Sequence, residues 1–78
     1  MELTPEIDVD NILSTLAQKH QNEQITTIDG LKIDFKDGWV HLRKSNTEPI
    51  IRIYAESEAE EKAIAFAQKM IQEIKELL

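Results

Sequence analysis

From Leu31 to Arg43 the chain alternates apolar and polar residues on either side of a turn dipeptide, and no other feature constrains the fold as strongly. Leu31, Ile33 and Phe35 alternate with Lys32, Asp34 and Lys36, and Trp39 to Arg43 resume beyond Asp37-Gly38. A period of two sends successive side chains to opposite faces of a strand. Two such runs joined at Asp-Gly read as a β-hairpin, and a two-residue turn at Asp37-Gly38 places Phe35 opposite Val40 and Ile33 opposite Leu42. Those four residues then share a core face, while Trp39, His41 and Arg43 share the other.

The flanking segments extend this hairpin. Gln24 to Ile28 is a β-branched run ending at a second turn dipeptide, Asp29-Gly30. After the loop Lys44 to Glu48, Pro49 to Glu56 reads as a fourth strand, with Ile51, Ile53 and Ala55 facing the core and Ile50, Arg52 and Tyr54 facing away. Pro49 donates no ladder hydrogen bond, so it belongs at the first residue of that strand. Ile7, Val9, Ile12, Leu13 and Leu16 recur at helical spacing, predicting a helix from Asp8 to about Lys19 with Asp8 or Asp10 near its N-cap, or with Pro5 in its first turn. His20 to Gln24 is polar and reads as the connection to the first strand. Ser57-Glu58-Ala59-Glu60 matches a capping box, and an apolar stripe of Ala63, Ala67, Met70, Ile74 and Leu77, widened by Ile64, Phe66, Ile71 and Leu78, predicts a helix from Glu61 to about Leu78. The order helix, four strands, helix, with hairpin-type connections, predicts a two-layer α+β domain, 1–78: a four-stranded, mostly antiparallel sheet with both helices packed on one face.

Composition narrows the function. A chain of 78 residues is the length of one small domain. Fifteen acidic against nine basic residues give a net charge of −6, which argues against nucleic acid as a partner. No apolar run reaches the roughly 18 residues that a membrane-spanning helix needs, and Met1 to Asp10 lacks the basic and apolar regions of a secretory signal. The chain contains no cysteine, which excludes disulfides and thiolate metal sites and fits a reducing, cytoplasmic setting.

Against that acidic background, Arg43-Lys44-Ser45-Asn46-Thr47-Glu48-Pro49, followed by Arg52, holds three cations and one anion. A phosphate requires positive charge and several donors converging on its oxygens, which arginine, hydroxyl and loop amide groups supply. The same residues also have a plainer reading. Ser-Asn-Thr is ordinary turn chemistry, and Arg43 and Arg52 read equally as solvated residues on a sheet face. Trp39 and Tyr54 suit an interface, and His41 has no evident partner as a metal ligand or base.

The stretch from Asp29 to Glu56 closely resembles the last domain of the α-D-phosphohexomutases, the phosphoglucomutase and phosphomannomutase family. That family shows a D-G hairpin region and then R-x-S-[NG]-T-[ET]-P-x-x-R-x-Y-x-E, matched here at every position from Arg43 to Glu56. The resemblance implies a fold similar to that of the TATA-box-binding protein and a place as the last of four domains around one active-site cleft. It implies that the parent enzyme is an isomerase that reversibly moves a phosphoryl group between the 1- and 6-positions of a hexose through a bisphosphate. The phosphoserine, the Mg²⁺ loop and the sugar-reading loop would lie on the other three domains, so this chain would hold no catalytic residue, cofactor or metal and would be inactive alone. By the same resemblance Arg43, Ser45, Asn46 and Thr47 would bind the phosphate that is not reacting, and Arg52 would support the loop or reach the phosphate. Lys44 and Glu48 fall where the family varies. The implied partners are hexose 1-phosphate, 6-phosphate and 1,6-bisphosphate and the remaining domains.

Two other classes fit parts of the pattern. A free-standing interaction module would use Trp39, Ile50 and Tyr54 as anchors on the open sheet face. Binding of single-stranded RNA by aromatics beside arginines is opposed by the net charge.

Overall fold

The computed structural model describes residues 3–4, 6–45 and 50–78. The elements follow the order α1 (Val9–Lys19), β1 (Gln24–Thr26), β2 (Leu31–Phe35), β3 (Gly38–Lys44), β4 (Ile51–Ser57) and α2 (Glu60–Leu77). The four strands form one sheet in the order β1-β2-β3-β4, and each pairing is antiparallel. Both helices lie on one face, giving the two-layer α+β arrangement that the order of elements predicts. Asp8 caps α1, its carboxylate accepting a hydrogen bond from the Asn11 amide at 3.1 Å. Pro5 lies outside the described residues, as does Pro49.

The central hairpin differs from its predicted register by two residues. Phe35 pairs with Gly38, Ile33 with Val40 and Leu31 with Leu42, so the turn consists of Lys36 and Asp37. Gly38 is needed inside the strand rather than in the turn. A Cβ there would run into the Glu56 carbonyl of β4 and press on the Phe66 ring of α2. A slip of two leaves every side chain on its predicted face, so the core is unaffected. The β1 strand is also shorter than the β-branched run suggests. It ends at Thr26, and Ile28 stands 94% exposed in the turn beyond it.

The core is built from Leu31, Ile33, Val40, Leu42 and Ile51 of the sheet, Val9, Ile12 and Leu16 of α1, and Met70 and Ile74 of α2, with Leu3 at its edge. Each fully buried Leu, Ile or Met contributes roughly 1.5–3 kcal/mol relative to exposure, so Leu16, Met70 and Ile74 carry much of the hold of the helices on the sheet. Phe35 of β2 stacks on Phe66 of α2 at 5.0 Å between ring centroids.

Two expectations for α2 are corrected. Its N-cap is Ala59, without a side-chain cap, because Ser57 remains the last residue of β4 and its hydroxyl donates to the Asp37 carbonyl at 2.5 Å. The apolar stripe is also narrower at its start, where Ile64 is exposed, and ends sooner, since Leu77 and Leu78 are exposed. Glu73 takes a place on the buried face instead. Its Oε1 lies 2.7 Å from Nε2 of His20 and 3.2 Å from Nζ of Lys19, so the C-terminal end of α1 is tied to α2. His20 also meets Phe35 edge-on. What reads as a polar connection therefore opens with a largely buried residue.

Candidate phosphate site at the β3–β4 turn

The outer face of the sheet follows directly from the register. Gln24, Asp34, Trp39 and Glu56 form one row across it, and Thr26, Lys32, His41 and Tyr54 form the next. In the third row Arg43 of β3 stands directly opposite Arg52 of β4, and both are exposed. Side chains paired in this way have Cβ atoms about 4.5–5.5 Å apart, a placement that disfavours like charges. Lys44 and Ile51 pair next, and the Ser45 amide then donates to the Ile50 carbonyl at 3.1 Å, closing the ladder before residues 46–49. Arg43 and Arg52 thus sit two register steps before the residues that close the loop.

The predicted cations do not all converge. Lys44 has the opposite parity to Arg43 and reaches Asp10 of α1 on the helix side, with Nζ 3.3 Å from Oδ2. Arg43 Nη2 lies 3.2 Å from Oδ2 of Asp29 in the β1–β2 turn. Among the described residues no acidic group pairs with Arg52. Ser45 is half-buried just beyond the end of β3. Asn46 and Thr47, the other two expected phosphate ligands, lie outside the described residues.

The aromatics of the outer face are partly engaged. Lys32 Nζ sits 5.1 Å from the centroid of the half-buried Trp39 ring, and His41 and Tyr54 are 6.3 Å apart. Tyr54 is left as the large exposed apolar side chain on that face among the described residues. A separate groove of about 340 Å³ runs between α1 and the β1–β2 turn, lined by Leu13, Ala17 and Leu31 among others. It holds none of the expected site residues.

Among the described residues no three His, Cys, Asp or Glu side chains are grouped to hold a metal ion. No described helix is long and apolar enough to cross a membrane. What the arrangement offers chemically is a pair of always-charged guanidinia on the two strands that flank residues 46–49. Planar guanidinia of this kind match phosphate oxygens two at a time.

Sequence reasoning placed Arg43, Arg52 and His41 on one face but missed the contacts that Asp29 makes with Arg43 and His41. The His41 ring donates through Nε2 to the Asp29 carbonyl at 2.5 Å. The available signal was the Asp29-Gly30 dipeptide, whose turn folds back against β3.

Comparison with known proteins gives a consistent result. Residues 6–74 match the family model described as phosphoglucomutase/phosphomannomutase, C-terminal domain. A phosphoglucomutase/phosphomannomutase of Thermococcus kodakarensis is 47% identical over 66 residues, covering 85% of this chain and 14% of the relative. A phosphoglucosamine/phosphogalactosamine mutase of Sulfurisphaera tokodaii is 36% identical over 80 residues, covering 100% of this chain and 17% of the relative. A probable phosphoglucosamine mutase of Methanopyrus kandleri is 35% identical over 82 residues, covering 96% and 18%. The chain therefore spans less than a fifth of the length of these curated relatives.

Proposed function

The chain belongs to the family of C-terminal domains of phosphoglucomutases and phosphomannomutases, and on that premise we propose that it grips the non-reacting phosphate of a phosphosugar while other domains of the parent enzyme carry out phosphoryl transfer between the hexose 1- and 6-positions. The observation that carries this reading is the cross-strand pair Arg43 and Arg52 at the mouth of the loop closed by Ser45 and Ile50. Two exposed guanidinia held face to face repel each other only weakly through water and salt, and a phosphate dianion between them turns that weak repulsion into attraction with geometry to match.

In this reading Arg43 and Arg52 neutralise the phosphate, and Ser45, Asn46 and Thr47, at the positions of the family motif, add neutral donors. Phosphoryl transfer depends chiefly on positioning and on electrostatic stabilisation. Binding energy gathered at the remote phosphate orients the sugar and favours closure of the cleft, away from the reacting atoms. A bisphosphate must present either end to this site during one reaction cycle, which a surface reading phosphate rather than sugar permits. The relatives named for glucose, mannose, glucosamine and galactosamine are consistent with a shared grip and with a sugar read elsewhere. The parent would act in the cytoplasm on hexose 1-phosphate, 6-phosphate and 1,6-bisphosphate, with its phosphoserine and Mg²⁺ on the other three domains.

Titrating the ¹⁵N-labelled chain with glucose 1-phosphate, glucose 6-phosphate and glucose tests the reading. Both phosphates are expected to shift the Ser45, Asn46 and Thr47 amides alike, and glucose to leave them unmoved. Equal shifts with glucose, or none with either phosphate up to concentrations on the order of tens of millimolar, would overturn it.

A further inference from the structure

Three separate contacts press the β1–β2 turn onto β3 beside Arg43. Gly30 has φ +80°, and a Cβ on it would collide with the Leu42 carbonyl and crowd Arg43 Cα. His41 Nε2 donates to the Asp29 carbonyl at 2.5 Å. The Asp29 carboxylate in turn lies 3.2 Å from Arg43 Nη2. The turn is thus held by its backbone, while its one acidic side chain is spent on a guanidinium.

The pairing has a direction. Arg52 faces Arg43 from β4 and repels it, whereas Asp29 attracts it from the other flank. An arginine side chain free in solvent samples many rotamers, and ordering it on binding weakens the affinity. One between an attractive and a repulsive neighbour is already confined. The contact to Asp29 uses one nitrogen of a group that carries five donors, which leaves other N–H groups for a ligand.

We propose that Asp29 is a positioning residue for anion binding: anchored by His41 and Gly30, it holds the Arg43 guanidinium in place for phosphate before the ligand arrives. This rests on the phosphate reading above and goes further by assigning a role to a turn outside the loop. The opposite role, a carboxylate that competes with phosphate for Arg43, predicts the opposite sign on its removal. Asp29 touches Arg43 at 3.2 Å and orders it at contact range, whereas an anion on the other N–H groups of the guanidinium meets the 66% exposed carboxylate only across screening water.

The test titrates inorganic phosphate into the wild-type chain, Asp29→Asn, Asp29→Glu, Arg43→Ala and the double variant Asp29→Asn/Arg43→Ala, following the Ser45 amide and the Arg43 Nε–H resonance. Asp29→Asn is expected to weaken phosphate binding about two- to tenfold, the scale of ordering one rotamer-rich side chain. It should also speed exchange of the Arg43 Nε–H. Asp29→Glu should recover part of both, and Asp29→Asn should change nothing further once Arg43 is alanine. Unchanged or tighter binding by Asp29→Asn, or an equal loss in the Arg43→Ala background, would overturn this inference while leaving the phosphate reading intact. Absence of phosphate binding by the wild-type chain would overturn both.

Discussion

Two charged clusters sit on opposite sides of the sheet, each with one carboxyl and two basic side chains. On the helix side one carboxyl, Glu73, meets two basic side chains, His20 and Lys19. On the open side two guanidinia, Arg43 and Arg52, face each other with one carboxylate, Asp29, beside them. In the first cluster Glu73 and His20 are withdrawn from water, their side chains 7% and 10% exposed, whereas the second is solvated throughout. Burial decides what each can be for. A buried polar group left without partners destabilises the fold by its full desolvation, so the excess of basic partners around Glu73 serves the structure. An exposed excess of positive charge costs little, because water and salt screen it, and it stays available to a ligand.

The comparison makes its largest prediction at Glu73. Glu73→Ala removes the tie between α1 and α2 and leaves the nearly buried His20 without its carboxyl partner, which should cost about 3 kcal/mol in urea unfolding. The folded fraction should still show the wild-type phosphate response at Ser45. A cost under roughly 1 kcal/mol would put Glu73 in the same class as an exposed pair.

Gly30→Ala sharpens the contrast from the other side. Its positive φ and the close approach of the Leu42 carbonyl leave no room for a methyl group, so the turn must lift from β3. A loss of about 2 kcal/mol in the same unfolding measurement is expected. Here weakened phosphate binding should accompany the loss of stability, because Asp29 moves with the turn. A variant that loses stability but binds phosphate as well as wild type would separate the turn from the site.

Much of this arrangement was legible in the sequence because strand periodicity survives an error of two. The predicted hairpin register set Ile33 opposite Leu42, whereas Val40 is its partner, yet the core and outer faces were assigned correctly. That same error hid Asp29. In the actual register Leu31 meets Leu42, so Gly30 falls beside Arg43 and brings Asp29 within reach. The capping box failed because β4 runs on through Ser57, whose hydroxyl points to the Asp37 carbonyl, a partner that only the folded turn supplies. Glu73 was overlooked although its spacing from Met70 and Leu77 puts it on the apolar stripe. Its partner at His20 is 53 residues away, and no local pattern announces such a pair.

Arg52→Ala should separate stability from binding most cleanly. Arg52 has no acidic partner among the described residues, and removing it relieves repulsion at Arg43, so stability should change by no more than about 0.5 kcal/mol. Phosphate affinity should fall about tenfold, the equivalent of one charge-assisted hydrogen bond. A large loss of stability with unchanged affinity would reverse the roles assigned to the two clusters.

The smallest effect is expected at the entry to α2, where Lys62 Nζ lies 3.0 Å from Glu58 Oε1. The hydrogen bond that Lys62 donates to Glu58 and the charge of Glu58, with the charge of Asp37, raise the Lys62 pKa above the 10.5 of a free lysine. A pKa raised on folding stabilises the native state fully below the unfolded value and ceases to do so as the pH rises through the higher folded value. Any difference between wild type and Lys62→Ala should therefore be constant at neutral pH and disappear only in strong alkali. Both side chains are well exposed, so that difference should lie within the error of urea unfolding. This pair is as close in distance as the contact between Lys19 and Glu73 and differs from it chiefly in burial. A stability loss at Lys62→Ala matching that of Glu73→Ala would mean that proximity, not burial, sets the worth of an ion pair in this fold, and the distinction between the two charged clusters would fail.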